Sequence, residues 1–146
     1  MNLAMLSNLR VSNFRTAPNA IAPEDSCDAV DLAVLASYDA VQLDGEPDLV
    51  VELIDLYVDD ARCRLAAMHE SVTEKDWPAV KREIHSLKGS SGNLGARQVA
   101  WVCEEIEKME PRTVWISIPA LLTWLQLELD RAIHILVAVR QTRITN

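Results

Sequence analysis

The chain predicts an all-α fold, an up-and-down four-helix bundle with a short additional N-terminal helix. Three observations point there. Aromatic residues make up only 5% of the 146 residues and there are 4 glycines, too few of either for a strand-rich fold that needs ring packing and turn punctuation. Apolar residues recur at i, i+3, i+4 and i+7 over several long stretches. The breaks between those stretches are short, which makes successive helices antiparallel neighbours.

Along the chain, residues 1–27 contain Pro18, Pro23 and several asparagines without sustained periodicity, and are expected to form a flexible lead-in. Residues 28–141 are expected to form the bundle and 142–146 a tail. From Asp28 to about Ala40, Val30, Val34 and Leu35 have helical spacing, and the Asp44-Gly45-Glu46-Pro47 turn signal follows. A short helix covering one end of the core is expected there.

Asp48 to about Ser71 carries Val50, Leu53, Ile54, Tyr57, Ala61, Leu65 and Met68 on one helical face, with acidic residues and arginines between them. A polar connection through Thr73 and Asp76 leads to Pro78, tolerated in a first helical turn, and a helix then runs towards Gly92. Gly92 and Gly95 bracket its end. Ala96 to Glu110 repeats the pattern with Val99, Val102, Cys103, Ile106 and Met109 until Pro111. A loop is expected around Pro111 to Ser117, followed by a helix whose stripe of Leu121, Leu122, Leu125, Leu129, Ala132, Ile133 and Leu136 continues to about Arg140.

Composition excludes several functions. The formal net charge of −8, with no Lys/Arg run to offset it, repels a phosphate backbone, so nucleic acid is not an expected partner. The apolar stretch Val114 to Leu127 is interrupted by Pro119 and is shorter than the ~20 residues a membrane span needs. It could complete the core or support a dimer contact; a monomer is expected. Residues Met1 to Leu9 lack a cationic leader and a clear cleavage site, so no export signal is expected. Cys27, Cys63 and Cys103 are odd in number and far apart, which suits reduced thiols in a cytoplasmic protein, with Cys63 and Cys103 expected as small core residues.

The most informative stretch is His85-Ser86-Leu87-Lys88-Gly89-Ser90-Ser91-Gly92-Asn93-Leu94-Gly95. A chance match to His-x-x-Lys-Gly-x-x-x-x-x-Gly in a chain this long has odds on the order of one in a thousand, so the pattern calls for a functional reading if it lies on a helix. At ~100° per residue, Val80, Ile84, Leu87, Ser91 and Leu94 gather on one side, and the centre of that arc lies roughly 130° from His85. The imidazole is therefore expected to face solvent. Lys81, Lys88, Gly89 and Gly92 share its face, being three, four or seven residues away.

That set has a chemical use. An ammonium nearby disfavours a second positive charge, so Lys88 would favour neutral imidazole with a ring nitrogen free as a nucleophile. The same ammonium would stabilise a phosphoryl group carried on the ring. Gly89 and Gly92 would let a partner's active site approach closely, at some cost in helix stability.

These residues resemble the signature of histidine-containing phosphotransfer domains, the four-helix modules of two-component phosphorelays, over about Asp28 to Arg140. The resemblance implies that His85 is the phosphoacceptor, at its outward Nε2, that Lys88 assists transfer, and that Gly89 clears the docking surface, with Lys81 and Gly92 beside it. It implies receiver domains of hybrid histidine kinases and response regulators as partners, one aspartate giving the phosphoryl group and another taking it. Mg²⁺ would come from the receiver, and no cofactor or metal would belong to this chain. No nucleotide-binding segment is present, so intrinsic kinase activity is not expected.

Two other readings stay open: a phosphoacceptor domain detached from a hybrid or chemotaxis histidine kinase, and a non-phosphorylated helical adaptor for receivers. From the Met1 start and the lack of a strong linker after Arg140, an independent protein is expected over the detached domain. His69 and His134 lack the spacing of a helical zinc pair and are expected to be incidental. Glu104, Glu105 and Glu107 are expected as a solvated helix face rather than an acid/base pair. A hydrolase is not expected, since there is no nucleophile elbow, no phosphate-binding glycine loop and no second residue spaced to act with His85 in hydrolysis. Trp101, off the apolar face, and Trp77, flanking one, are expected to be half-buried edge residues or partner contacts.

Overall fold

The structure, a computed structural model, describes residues 29–145, and all regular structure among them is helical. Helix α1 (Leu32–Ser37) tightens into a 3-10 turn (Tyr38–Val41), and four longer helices follow: α2 (Leu49–Thr73), α3 (Trp77–Asn93), α4 (Arg97–Lys108) and α5 (Pro111–Thr145). In the ring of four, α3 packs between α2 and α4, and α5 closes against both of these. The expectations for the lead-in, and for Cys27, lie outside the described residues.

The starts of α2 and α3 are written in their caps. The Asp48 carboxylate accepts from Val50 N at 2.9 Å and Val51 N at 3.3 Å, and Asp76 accepts from Ala79 N at 3.1 Å. Such caps satisfy backbone donors that the first turn leaves without intrahelical acceptors. Helix α3 ends in a Schellman motif, with Gly95 N donating to Gly92 O at 3.2 Å and Ala96 N to Ser91 O at 2.8 Å. Gly95 stands at φ +76°, and a Cβ there would lie 2.5 Å from the Asp31 carbonyl oxygen. Glycine is required at this position twice over, by dihedral and by space.

The core runs through the ring along the expected faces. Val50, Ile54, Ala61 and Met68 of α2 meet Val80, Ile84 and Leu87 of α3, all fully buried. Val99, Val102 and Ile106 of α4 and Leu121, Leu125, Leu129 and Leu136 of α5 complete it. Residues 29–41 form a strap over one end: Asp31 N donates to Gly95 O at 2.7 Å and Tyr38 Oη to Asn93 O at 2.7 Å.

Three expectations are corrected. The loop around Pro111 to Ser117 is instead the start of α5. Pro119 removes the N–H that would reach the Trp115 carbonyl, a cost of about 3 kcal/mol in a helix interior. Its ring lies on the exposed side, while Val114 and Ile118 are 0% and 3% exposed; burying them stabilises the helix by roughly 1.5–3 kcal/mol each, which offsets the proline. The residues of the expected 142–146 tail are helical through Thr145, tied down where Arg143 reaches Asp39 and Asp48. Cys63 is exposed, being two residues beyond Ala61 and so about 200° round α2 from the core face. Cys103 is buried as expected.

The apolar 114–127 segment completes the intramolecular core through Val114, Ile118, Leu121 and Leu125. Trp77 is half-buried, edge-on to Trp115 at 5.9 Å between ring centroids. Trp101 is more deeply placed than its position on the helix predicts: it is 8% exposed and meets Trp124 edge-on at 5.4 Å.

Candidate functional site

The rotation of α3 about its axis decides what it presents, and that rotation is fixed from inside. Val80, Ile84, Leu87 and Ser91 are buried, and the Ser91 hydroxyl lies 2.7 Å from the Tyr57 hydroxyl of α2. Burial pushes the Tyr57 phenol well above its ordinary pKa, so this pair remains a neutral hydrogen bond. With that face locked, His85 points outward, its side chain 73% exposed.

Helix α4 supplies what the sequence did not reveal. The Glu107 carboxylate lies under the imidazole, Oε2 at 3.5 Å from His85 Nδ1 and Oε1 at 3.3 Å from Lys88 Nζ. Both are ion-pair distances; Oε1 is buried and has no aligned hydrogen-bond donor, so Lys88 acts on it by charge rather than by a directed bond. Glu107 is therefore not part of a freely solvated face. It follows Ile106 on the edge of the α4 stripe that packs against α3, and this inter-helix placement is not visible in either helix alone. The expected surrounding of cations and bare backbone is corrected accordingly: one carboxylate bridges the imidazole and the ammonium.

A carboxylate beside Nδ1 favours the tautomer with its proton on that nitrogen, which leaves the Nε2 lone pair facing solvent. Lys81 and Arg82 are exposed and, with Pro78, His85, Ser86 and Glu107, line a shallow basin. Below it, burial pushes the Cys103 thiol well up in pKa, which keeps it protonated and unreactive. Among the described residues no group of three His, Cys, Asp or Glu side chains could hold a metal ion, and no helix is long and apolar enough to cross a membrane.

Gly89 and Gly92 are exposed, and a Cβ at either would meet nothing within 4 Å. Internal packing does not demand glycine there, although each costs about 0.5–1 kcal/mol in a helix relative to alanine. Beside them, between the strap, α2 and α3, lies an apolar groove of about 360 Å³ lined in part by Tyr38, Leu53, Leu56, Ser90 and Asn93. Leu56 on its rim is 68% exposed. The structure thus brings His85, Lys88 and Glu107 together, and sets Lys81, Gly89 and Gly92 on the same open face.

The class the fold and site define is a helical bundle that presents an exposed imidazole, with a carboxylate behind it and a side-chain-free helical surface beside it. A family model described as Hpt domain matches residues 52–135. The chain is 38% identical over 66 residues to histidine-containing phosphotransfer protein 5 of Arabidopsis thaliana, covering 43% of this chain and 42% of that protein. It is 36% identical over 67 residues to the phosphorelay intermediate protein YPD1 of Saccharomyces cerevisiae, covering 45% and 40%. These matches span about two fifths of the relatives' length. The crystal structure of histidine-containing phosphotransfer protein B from Pseudomonas aeruginosa superimposes with a TM-score of 0.69 at 30% identity, covering 84% of this chain and 98% of that one. The chain belongs to the histidine-containing phosphotransfer (Hpt) domain family.

Proposed function

We propose that this chain is a phosphorelay intermediate that accepts a phosphoryl group on His85 from a receiver-domain aspartate and passes it to the aspartate of another response regulator. The single observation that carries this reading is the outward imidazole of His85 with Glu107 at its Nδ1 and Lys88 one turn on. The names of the relatives support it, two being phosphotransfer proteins and one a phosphorelay intermediate.

The chemistry follows from the arrangement. The Nε2 lone pair attacks phosphorus in line with the aspartyl oxygen; the P–N bond forms as the P–O bond breaks, and the aspartate carboxylate leaves with the electron pair. Nδ1 keeps its proton, so no proton moves in the step. The ring gains positive charge, which the Glu107 carboxylate offsets. Lys88 can turn its ammonium from Glu107 to the incoming phosphoryl oxygens, where phosphoryl transfer depends mainly on positioning and charge stabilisation. Transfer to a second receiver reverses each step.

Mg²⁺ is supplied by the receiver in this reading, and the chain carries no kinase activity of its own. Lys81, Gly89 and Gly92 form the surface that the receiver meets, and the module works in the cytoplasm. Incubation with a panel of phosphorylated receiver domains and Mg²⁺ tests the proposal. Acid-labile, base-stable label should appear on the wild-type chain and not on His85→Gln. Label persisting on the variant overturns the assignment of His85, and intact receiver binding without label on either protein would leave a helical adaptor.

A further inference from the structure

The last turn of α5 is bound to the opposite end of the sequence by three charged side chains. Arg143 Nε donates to Asp48, at 2.8 Å to Oδ2 and 3.1 Å to Oδ1, and its Nη2 donates to Asp39 Oδ1 at 2.6 Å. Asp48 is the residue that caps α2, so one carboxylate starts that helix and receives the guanidinium. Asp39 belongs to the 3-10 turn of the strap. The guanidinium therefore joins the strap to the α2 cap, and its side chain is only 25% exposed.

The strap's other attachments lead to the histidine helix. Asp31 N is bonded to Gly95 O and Tyr38 Oη to Asn93 O, so the strap lies against the final turn of α3, and Tyr38 walls the groove beside Gly89 and Gly92. Asn93 is eight residues beyond His85, about 12 Å along the helix axis. A partner covering roughly 600–800 Å² of this chain has a footprint some 14–16 Å in radius. Centred on His85, that footprint reaches the strap. The position of the strap thus sets the rim of the surface a receiver meets, while the reacting nitrogen lies too far away to sense it.

We propose that Arg143 is a positioning residue for receiver docking: it seats the 31–41 strap at the edge of the histidine face and so governs partner binding while leaving the chemical step unchanged. This rests on the phosphotransfer reading above. Fixing the strap beforehand spares the complex the entropy of ordering it on contact, so releasing the strap weakens docking.

The test uses the full chain at fixed concentration with increasing phosphorylated receiver and Mg²⁺, for wild type, Arg143→Gln, Arg143→Lys and Asp39→Asn. Arg143→Gln should raise the half-saturating receiver concentration about threefold to tenfold, the size expected for losing two partly exposed charge pairs, with the maximal single-turnover rate unchanged. Arg143→Lys should recover part of the loss. Asp39→Asn, which spares the α2 cap, should show a smaller rise, and amide exchange over residues 31–48 should speed up in each weakened variant. With receiver varied, a misfolded fraction lowers the amplitude and not the half-saturation point, which separates docking from general damage.

An unchanged half-saturation point, or a lowered maximal rate at constant half-saturation, overturns the role of Arg143. If the wild-type chain binds receivers without taking up phosphoryl, the proposed function fails, and the ratio of receiver dissociation constants between wild type and Arg143→Gln still decides this inference.

Discussion

The two faces of α3 differ in almost every physical respect although they are cut from the same seventeen residues. The inner face, Val80, Ile84, Leu87 and Ser91, is buried against α2 and α4. The outer face holds an imidazole 73% exposed, a lysine shared with a carboxylate of the next helix, and two glycines with open space above them. Packing therefore sets where the histidine points, and the outer residues, which contribute little to stability, remain free to serve chemistry. Stability and activity should separate cleanly between the faces.

The largest separation is expected at His85. His85→Gln should reduce phosphoryl uptake to background while shifting stability by no more than about 0.5 kcal/mol, as surface substitutions do; urea unfolding alongside the transfer assay measures both. Ile84→Ala on the inner face should do the opposite. It should cost about 2–5 kcal/mol in the same urea titration, with the transfer rate per folded molecule unchanged. Loss of both properties together in either variant would break the comparison.

Lys88 sharpens it. Lys88→Ala should slow single-turnover transfer by about tenfold to a hundredfold, equivalent to losing ~1.4–3 kcal/mol of charge-assisted bonding, with little change in melting temperature. The glycines provide a comparison of sign. Gly95→Ala should destabilise by about 1–3 kcal/mol, because its φ is +76° and the added Cβ meets the Asp31 carbonyl. Gly89→Ala should stabilise by about 0.5–1 kcal/mol and yet weaken receiver binding, as judged by calorimetric titration. A stability gain with no loss of binding would remove Gly89 from the docking surface.

The smallest effect concerns pH. The Arg143 hydrogen bond holds the Asp48 carboxyl below its ordinary value of 3.8, aided by the Val50 and Val51 amides and opposed by partial burial. A depressed carboxylate contributes stability that is present above the unfolded value and lost as pH falls through the folded one. The stability difference between wild type and Arg143→Gln should therefore hold from neutral pH down to about 4 and shrink below it, a trend that thermal melts across that range would record.

Much of this was legible in the sequence because the governing interactions are local. Asp48 and Asp76 mark helix starts, the Val50/Ile54/Ala61/Leu65/Met68 series marks the α2 core face, and the His85/Lys88/Gly89 spacing marks a single face of one helix. What stayed hidden depends on two helices at once. Glu107 looks solvated within α4, and only the packing of α4 on α3 brings it to His85 and Lys88. The start of α5 was hidden by Pro111 and Pro119: the first is tolerated as the opening residue of the helix, and the cost of the second is met by burial of Val114 and Ile118 against other helices. Trp101 and Cys63 also depart from their expected burials, for different reasons, the second of them local to one helix. Cys63 is turned away by the pitch of α2, and Trp101 is drawn in by Trp124 of another helix.

The central claim is that His85 carries the phosphoryl group on Nε2 while Glu107 retains the proton on Nδ1. Nitrogen-15 NMR of the imidazoles in the chain phosphorylated by a receiver tests it most directly. The account predicts a single modified ring, absent in His85→Gln, with phosphorus coupled to Nε2 and a proton on Nδ1. Phosphorus on Nδ1, or on His69 or His134, would contradict it.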